Sequence, residues 1–521
     1  MSEFKLSTQS KFIILTAVLA SLLEIVDTSI VNVAIPTMMG NLGATLEDIS
    51  WVVTGYIIAN AIVLPLSGWL ATRIGRRKYY VGCITIFTLA SVLCGIAPNL
   101  MVLTIFRIIQ GLAGGALLPT SQTLIQEQFP RERAGMGSAI YGMSIMIGPT
   151  LGPTLGGYLT DHFGWRSIFN INLPLGLFAI FMALIYVDEP AHAKEKKKGA
   201  IDGVGLGLLA VGIGCLQYVL ERGQADDWFD SLGIQVCSAI AAFAIPYFVY
   251  WELTVKDPIV NLRLFKDSVV RNGTLLMMLL GTMLFGMVFI LPIFVGASLH
   301  YDATRTGMLF IPGALTTAAC MPFIGAMLRK IDPRYLILFG ICVVETCLYM
   351  MTQFSSQSGE RDLFWALLVR GLGMGFLFVP INTAVLGKFR GESLGQVAGL
   401  LNLFRQLGGS IGIALIGTLL DRKNQQNYID IVSHVSLLSP AADLTLRQSQ
   451  MGMTTKFGGE VGFTSSSTAA LRSLAYRVQS QVFMLSFSQM MWTLLIIFSF
   501  SLIPLYFLKV NKKIEGPVDA H

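Results

Sequence analysis

Two carboxylates sit where a lipid-spanning sequence has little room for charge. From Phe12 to Ile35 the chain is almost unbroken apolar, yet it carries Glu24 and Asp27. A charge near the bilayer centre costs about 2.5–3.5 kcal/mol on insertion scales, so two acids on one spanning helix are protonated, solvated in a cavity or paired. A spacing of three places them about 60° apart on one helical face. That face is expected to look inward, onto water or substrate, and the chemistry it offers is proton binding. The competing reading is an acid held structurally by a neighbouring Arg or backbone group. Arg107, in the apolar stretch Leu103–Ala116, is the natural partner. A buried guanidinium keeps its proton and must find carboxylate, carbonyl or water inside the protein. Proton loss or gain at the acids then changes how firmly Arg107 is held, the alternative being a fixed inter-helix bond. Three more charges interrupt apolar runs. Glu345 reads as a second titratable site or a shielded structural pair, Arg370 mirrors Arg107 and stabilises a second half, and Arg405 is structural or cavity-lining. Asn32, Gln110 and Asn402 are the polar groups that join Glu345, Arg370 and Arg405 as candidate cavity residues.

The elements that must position these groups are membrane helices. With 54% hydrophobic residues, 13% charged and a mean hydropathy of +0.65, the 521-residue chain reads as an all-α integral membrane protein. The first apolar run is too long for a signal-peptide core and lacks a small-residue cleavage site, so it is expected to be retained. Seven cysteines all fall in predicted spans with no Cys-x-x-Cys pair, which argues against disulfides and metal. No phosphate-binding loop and no nucleophile–base or metal-ligand set is present, so the chain is read as no enzyme, without cofactors, drawing energy from protons as coupling ion.

Apolar runs of spanning length recur near 12–35, 49–71, 79–97, 101–124, 135–158, 167–187, 202–221, 231–252, 272–297, 306–328, 335–353, 361–387, 394–420 and 482–508. Fourteen spans put both termini on one side. Positive charge gathers there, at Arg73, Arg76, Arg77 and Lys78, at Arg131 and Arg133, at Lys194 and Lys196–Lys198, and at Arg329, Lys330 and Arg334. The short loops of the other side hold only Arg166, Arg222, Arg305 and Arg361, which places both tails in the cytoplasm. This asymmetry accounts for the net +6 without nucleic acid, and the Lys194–Lys198 run reads as an anchor near anionic lipid.

An internal repeat organises the spans. Leu64-Pro65-Leu-Ser-Gly68 echoes Met321-Pro322-Phe-Ile-Gly325 at one constant offset, basic residues following in both, and Arg107 with Pro119 is echoed by Arg370 with Pro380. Two six-helix units are expected, 1–190 and 261–521, with two inserted helices in 191–260 and a cleft between the halves. Residues 421–481, rich in Ser, Thr, Gln and Asn, are expected to form a long extracytoplasmic loop with an amphipathic stretch near Thr468–Val478. It is read as a docking site for a periplasmic adaptor protein or as a loosely ordered cap.

The motifs connect these elements to a family. Gly68-Trp-Leu-Ala-Thr-Arg73-Ile-Gly75-Arg76-Arg77-Lys78 combines a close-packing Gly68, a turn at Gly75 and cations that hold the inner face. It resembles the signature loop of the major facilitator superfamily, departing at Thr72, where an acid is common. Gly148-Pro149-Thr-Leu-Gly152-Pro153-Thr-Leu-Gly156-Gly157 offers small residues for close helix contact and prolines that free carbonyls, and it resembles the Gly-Pro antiporter motif of drug exporters in that superfamily. With Asp27 to Pro36, Trp165-Arg166 leading to Asn172-Leu-Pro174, and Asn402 with Arg405-Gln406-Leu-Gly408-Gly409, the chain resembles a fourteen-helix drug:proton antiporter of the EmrB/QacA type from Lys11 to Lys509.

That resemblance implies the major facilitator fold, two pseudo-symmetric six-helix bundles plus two inserted helices, in a bacterial inner membrane. It implies Asp27 as the proton-linked acid; Glu24 is an extra on which the family pattern is not informative, and the two are read as a coupled pair that, with Arg107, carries proton coupling. The expected function is proton-coupled efflux of lipophilic drugs by alternating access. The rival readings are an exporter of one endogenous metabolite, lipid or siderophore, and a non-transporting membrane sensor.

Overall fold

The computed structural model describes residues 6–189, 202–434 and 463–509, apart from 300, 302 and 356, together with 444 and 447–448. The Lys194–Lys198 run lies outside the described residues. Among them the chain forms fourteen long helices: α1 Thr8–Leu42, α2 Leu46–Ile74, α3 Arg76–Gly95, α4 Leu100–Glu127, α5 Ala134–Phe163, α6 Ser167–Tyr186, α7 Gly203–Arg222, α8 Leu232–Thr254, α9 Ser268–Leu299, α10 Ala303–Met327, α11 Pro333–Thr352, α12 Glu360–Leu386, α13 Gly391–His434 and α14 Phe463–Ser499. A short helix, Leu502–Phe507, continues α14. Thirteen of the fourteen are long and apolar enough to cross a membrane, the exception being the Gly- and Pro-rich α5. Lipid offers no water to unpaired backbone groups, and helices satisfy theirs internally.

Local chemistry marks the ends. Ser7 caps α1 by accepting from the Ser10 amide, and Gly43 ends it in the left-handed region at φ 59°. Pro65 interrupts α2 with a 3-10 turn over Leu64–Leu66. Gly75 turns the chain from α2 into α3 at φ 97°, the conformation expected for it in the sequence.

Helices α1 to α6 pack as one bundle, α9 to α14 as another, and α7 and α8 pack on each other. The halves meet most extensively through two swapped contacts, α2 on α13 and α5 on α10. The repeated glycines make them possible. A methyl added at Gly68 would stand 2.6 Å from the Gln396 nitrogen of α13, and one at Gly325 would stand 2.7 Å from the Gly135 oxygen of α5. Helix α7 packs against both α2 and α13, so the insert lies along one seam.

The expected loop 421–481 is corrected at both ends. Helix α13 continues to His434 and α14 begins at Phe463, so the polar segment leaves the membrane as helix. At 1.5 Å per residue, the 44 residues of α13 reach about 66 Å, twice the hydrocarbon thickness of about 30 Å. Asn427 pairs with Ser486 at 2.9 Å between the two helices. Polar composition described exposure here and said nothing of helicity.

Candidate proton and substrate site

Asp27 lies on α1 and is fully buried inside the first bundle. Arg107 Nη1 of α4 donates to its Oδ2 at 2.5 Å, while Gln110 Nε2 of α4 and Asn172 Nδ2 of α6 donate to its Oδ1 at 2.9 and 2.8 Å. Arg107 is shared further: Nε donates to the Val52 carbonyl of α2 at 3.2 Å, Nη1 to Gln110 Oε1 at 2.9 Å, and its guanidinium lies 4.1 Å from the Tyr56 ring centroid. Asn172 also donates to Ser91 of α3 at 2.9 Å. The acid thus ties together α1, α4 and α6, and through Arg107 also α2. Breaking such a buried pair by removing one partner costs about 3–5 kcal/mol, because the other charge is stranded.

Glu24 looks elsewhere. Asn60 Nδ2 of α2 donates to its Oε1 at 3.0 Å. Both acids are buried on α1, and they take different hydrogen-bond partners there.

Around Glu24 runs a polar network that crosses the seam. Tyr141 of α5 donates to Asn402 Oδ1 at 3.1 Å, Asn402 donates to Gln122 Oε1 of α4 at 2.7 Å, and Gln122 donates to Asn382 Oδ1 of α12 at 2.6 Å. Arg405 Nη2 donates to Asn402 at 3.3 Å, and Gln406 Nε2 to the Ile57 carbonyl of α2 at 3.2 Å. Nearer the end of the bundle where α1 begins, Arg390 donates to the Gln126 and Phe129 carbonyls at 3.4 and 3.3 Å. With Gly68 on α13 and Gly325 on α5, these contacts close that end. Tyr56 Oη, Asn60 Oδ1 and Arg405 Nε are buried without a hydrogen-bond partner in the same region.

The glycine motif of α5 packs on the helix that carries the acids. Methyls added at Gly148, Gly152 and Gly156 would collide with Ile25, Ser29 and Ile30 of α1 at 2.3, 1.9 and 2.8 Å. Gly157 is buried beside them, and Pro149 and Pro153 sit within the helix without ending it. Pro153 and Thr154 meet Gly307 of α10. One helix therefore touches the acid-bearing α1 on one side and the opposite half on the other.

At the turn from α2 to α3 Arg76 forms an ion pair with Glu127 of α4, and Arg77 donates to the Leu184 carbonyl. Glu127 supplies an acid to this loop, while Thr72 folds its hydroxyl onto the Gly68 and Trp69 carbonyls. Arg73 lies over the Trp69 ring, 5.2 Å from its centroid.

Several expected cavity residues lie apart from this cluster. Asn32 is exposed, two turns beyond Glu24. Glu345 is only half-buried and accepts from Ser499 of α14 at 2.8 Å, on a peripheral seam between α11 and α14. Arg370 is buried with Nε and Nη1 unpartnered and Phe310 5.6 Å away. Its likeness to Arg107 stops at position, since α9, the counterpart of α1, carries no acid. Tyr56, Asn60, Gln122, Tyr141 and Asn382 were not singled out from the sequence. The available signal was the rule already applied to the acids, a polar side chain inside an apolar span.

The family model for the Major Facilitator Superfamily matches residues 17–413. The chain is 34% identical to the multidrug export protein EmrB of Escherichia coli (strain K12) over 84% of its length and 85% of that protein. It is 34% identical to the fatty acid resistance protein FarB of Neisseria gonorrhoeae, covering 80% of this chain and 82% of FarB. Among solved structures, the human organic anion transporter MFSD10 superposes with a TM-score of 0.60 at 13% identity, over 96% of this chain and 99% of that one. The proton:xylose symporter XylE does so at 0.59 and 15% identity, over 94% and 96%.

Proposed function

The chain belongs to the major facilitator superfamily, among its EmrB-type members, and from that premise we propose that it is a proton-coupled multidrug efflux transporter working by alternating access. It sits in a bacterial cytoplasmic membrane with both termini inside, the orientation favoured by the positive charge of the inner loops. Relatives named for multidrug export and fatty acid resistance support lipophilic substrates.

The observation that carries this reading is the Asp27–Arg107 pair, buried on a helix packed against α5, which itself packs against the second half. Protonation of Asp27 removes the ionic part of its hold on Arg107, leaving the guanidinium to the Val52 carbonyl, Gln110 and the Tyr56 ring. Helix α1 is then freer to shift against α4 and α6, and its glycine-lined contact passes that shift through α5 to α10. The halves rock about their two swapped seams, and the seam around Glu24, Asn402 and Arg405 opens to the inside to take up substrate. Substrate occupies that region, where unpartnered Tyr56, Asn60 and Arg405 atoms supply polar contacts within apolar walls.

The outer extensions of α13 and α14 fit an accessory protein. Exposed Tyr428, Ile429, Leu471 and Tyr476, with a cleft of about 540 Å³ lined by Asn424, Gln425 and Phe483 among others, form a surface beyond the membrane.

Efflux of a lipophilic dye from proteoliposomes under an imposed pH gradient tests the main reading. Saturable, gradient-driven flux of several unrelated dyes supports it. Flux of a single metabolite class alone favours the dedicated exporter, binding without flux favours a sensor, and full pH-driven efflux by Asp27→Asn removes the assigned coupling acid.

A further inference from the structure

A cleft of about 430 Å³ opens at the inner end, over the seam where Gly135 of α5 meets Gly325 of α10. Among the described residues its charged lining is cationic: Lys11 at the start of α1, Arg133 just before α5 and Arg329 just past α10. Arg133 also has a partner within the chain, whereas Lys11 and Arg329 are exposed. Leu6, Phe129 and Met136 supply apolar walls between the cations. The volume equals that of roughly a dozen waters, and the position is the level at which spanning helices end and headgroups begin.

We propose that this cleft binds the phosphate headgroup of an anionic phospholipid. The exposed cations Lys11 and Arg329, with Arg133 beside them, fit a phosphodiester, and the apolar walls fit the first carbons of acyl chain, which a free phosphate ion lacks. The lining comes from both halves, Lys11 and Arg133 from the first and Arg329 from the second. The cleft therefore exists only while Gly135 and Gly325 touch. A bound headgroup bridges the halves and favours the inner-closed conformation described above. Neither Lys11 nor Arg329 belongs to the acid site or the polar network.

The test uses the purified full-length chain in lipid nanodiscs, with native mass spectrometry to follow retained lipid and thermal melting to follow stability. Phosphatidylglycerol is expected to be retained, and to raise the melting midpoint, where phosphatidylcholine is not. With each surface cation worth about fivefold in affinity, the Lys11→Gln/Arg329→Gln double variant is expected to retain phosphatidylglycerol about thirtyfold more weakly and to lose the thermal gain. The charge-preserving Lys11→Arg/Arg329→Lys variant is expected to recover both. Unchanged retention in the glutamine variant overturns the proposal, as does equal loss in the charge-preserving one. Equal stabilisation by inorganic phosphate alone overturns the lipid assignment.

Discussion

Glu24 and Asp27 stand three residues apart on α1, both buried, and take different hydrogen-bond partners. Asp27 closes on Arg107, Gln110 and Asn172 inside the first bundle, while Glu24 accepts from Asn60 of α2. One helix thus holds one acid in an ion pair and the other on a neutral amide. On the proposed function, this difference in partners is expected to divide labour, with proton coupling at the first and substrate contact at the second.

That division predicts separable phenotypes. Asp27→Asn should lower pH-driven dye efflux at least tenfold for every dye, because the group that changes charge is gone. Glu24→Gln should keep the dependence on the pH gradient and change the ratio of cationic to neutral dye transported by about tenfold. Efflux against imposed gradients, measured for a cationic and a neutral dye in parallel, checks both. Equal loss of coupling in the two variants would reject the division.

Gly68 and Gly325 should fail alike. A valine at either position forces side-chain atoms into the backbone of Gln396 or Gly135, so the inner end cannot close. Reactivity of an Asn402→Cys reporter towards a water-soluble thiol reagent applied from the inner side should rise severalfold in Gly68→Val and in Gly325→Val. A response in one variant and not the other would mean the swapped seams are not functionally equivalent.

The α1–α5 contact has no spare room at Gly152, where an added methyl would lie 1.9 Å from Ser29 Oγ. Gly152→Ala should destabilise the folded protein by about 1–3 kcal/mol, the usual cost of overpacking, and Gly152→Leu by more. Thermal melting in detergent reads this out. Restoration by Ser29→Gly in the Gly152→Ala background would show that the collision itself is the cause.

Glu345 should matter little to transport. Its bond from Ser499 lies on the α11–α14 seam, away from the polar network. Glu345→Gln is expected to keep more than half of the wild-type efflux rate, and Ser499→Ala to cost about 1 kcal/mol of stability. A loss of pH dependence in Glu345→Gln would return this acid to the coupling machinery.

The inner-loop pair Arg76–Glu127 is partly exposed and should couple weakly. A double-mutant cycle with Arg76→Gln and Glu127→Gln, followed by thermal melting, should give about 0.2–1 kcal/mol. A larger value would mark this loop as a principal lock on the inner end.

The sequence by itself determined the class of protein, the number of spanning helices and the existence of two related halves. Each of these follows from local composition and periodicity: a lipid-crossing helix must be apolar for about twenty residues, and a duplicated unit carries its glycines and prolines at a constant offset. It also exposed Asp27 and Arg107, since an ionised group in an apolar run is conspicuous without coordinates. Only the tertiary structure decided where each polar group looks. That Glu24 and Asp27 part company, that Glu345 sits on a peripheral seam, and that Arg370 has no acid where Arg107 has one are matters of helix rotation and neighbour identity. A turn of 60° about a helix axis leaves the sequence pattern unchanged and exchanges every partner. The same holds for α13 and α14, whose polar outer segments became helices because composition reports contact with water and says nothing of backbone hydrogen bonding.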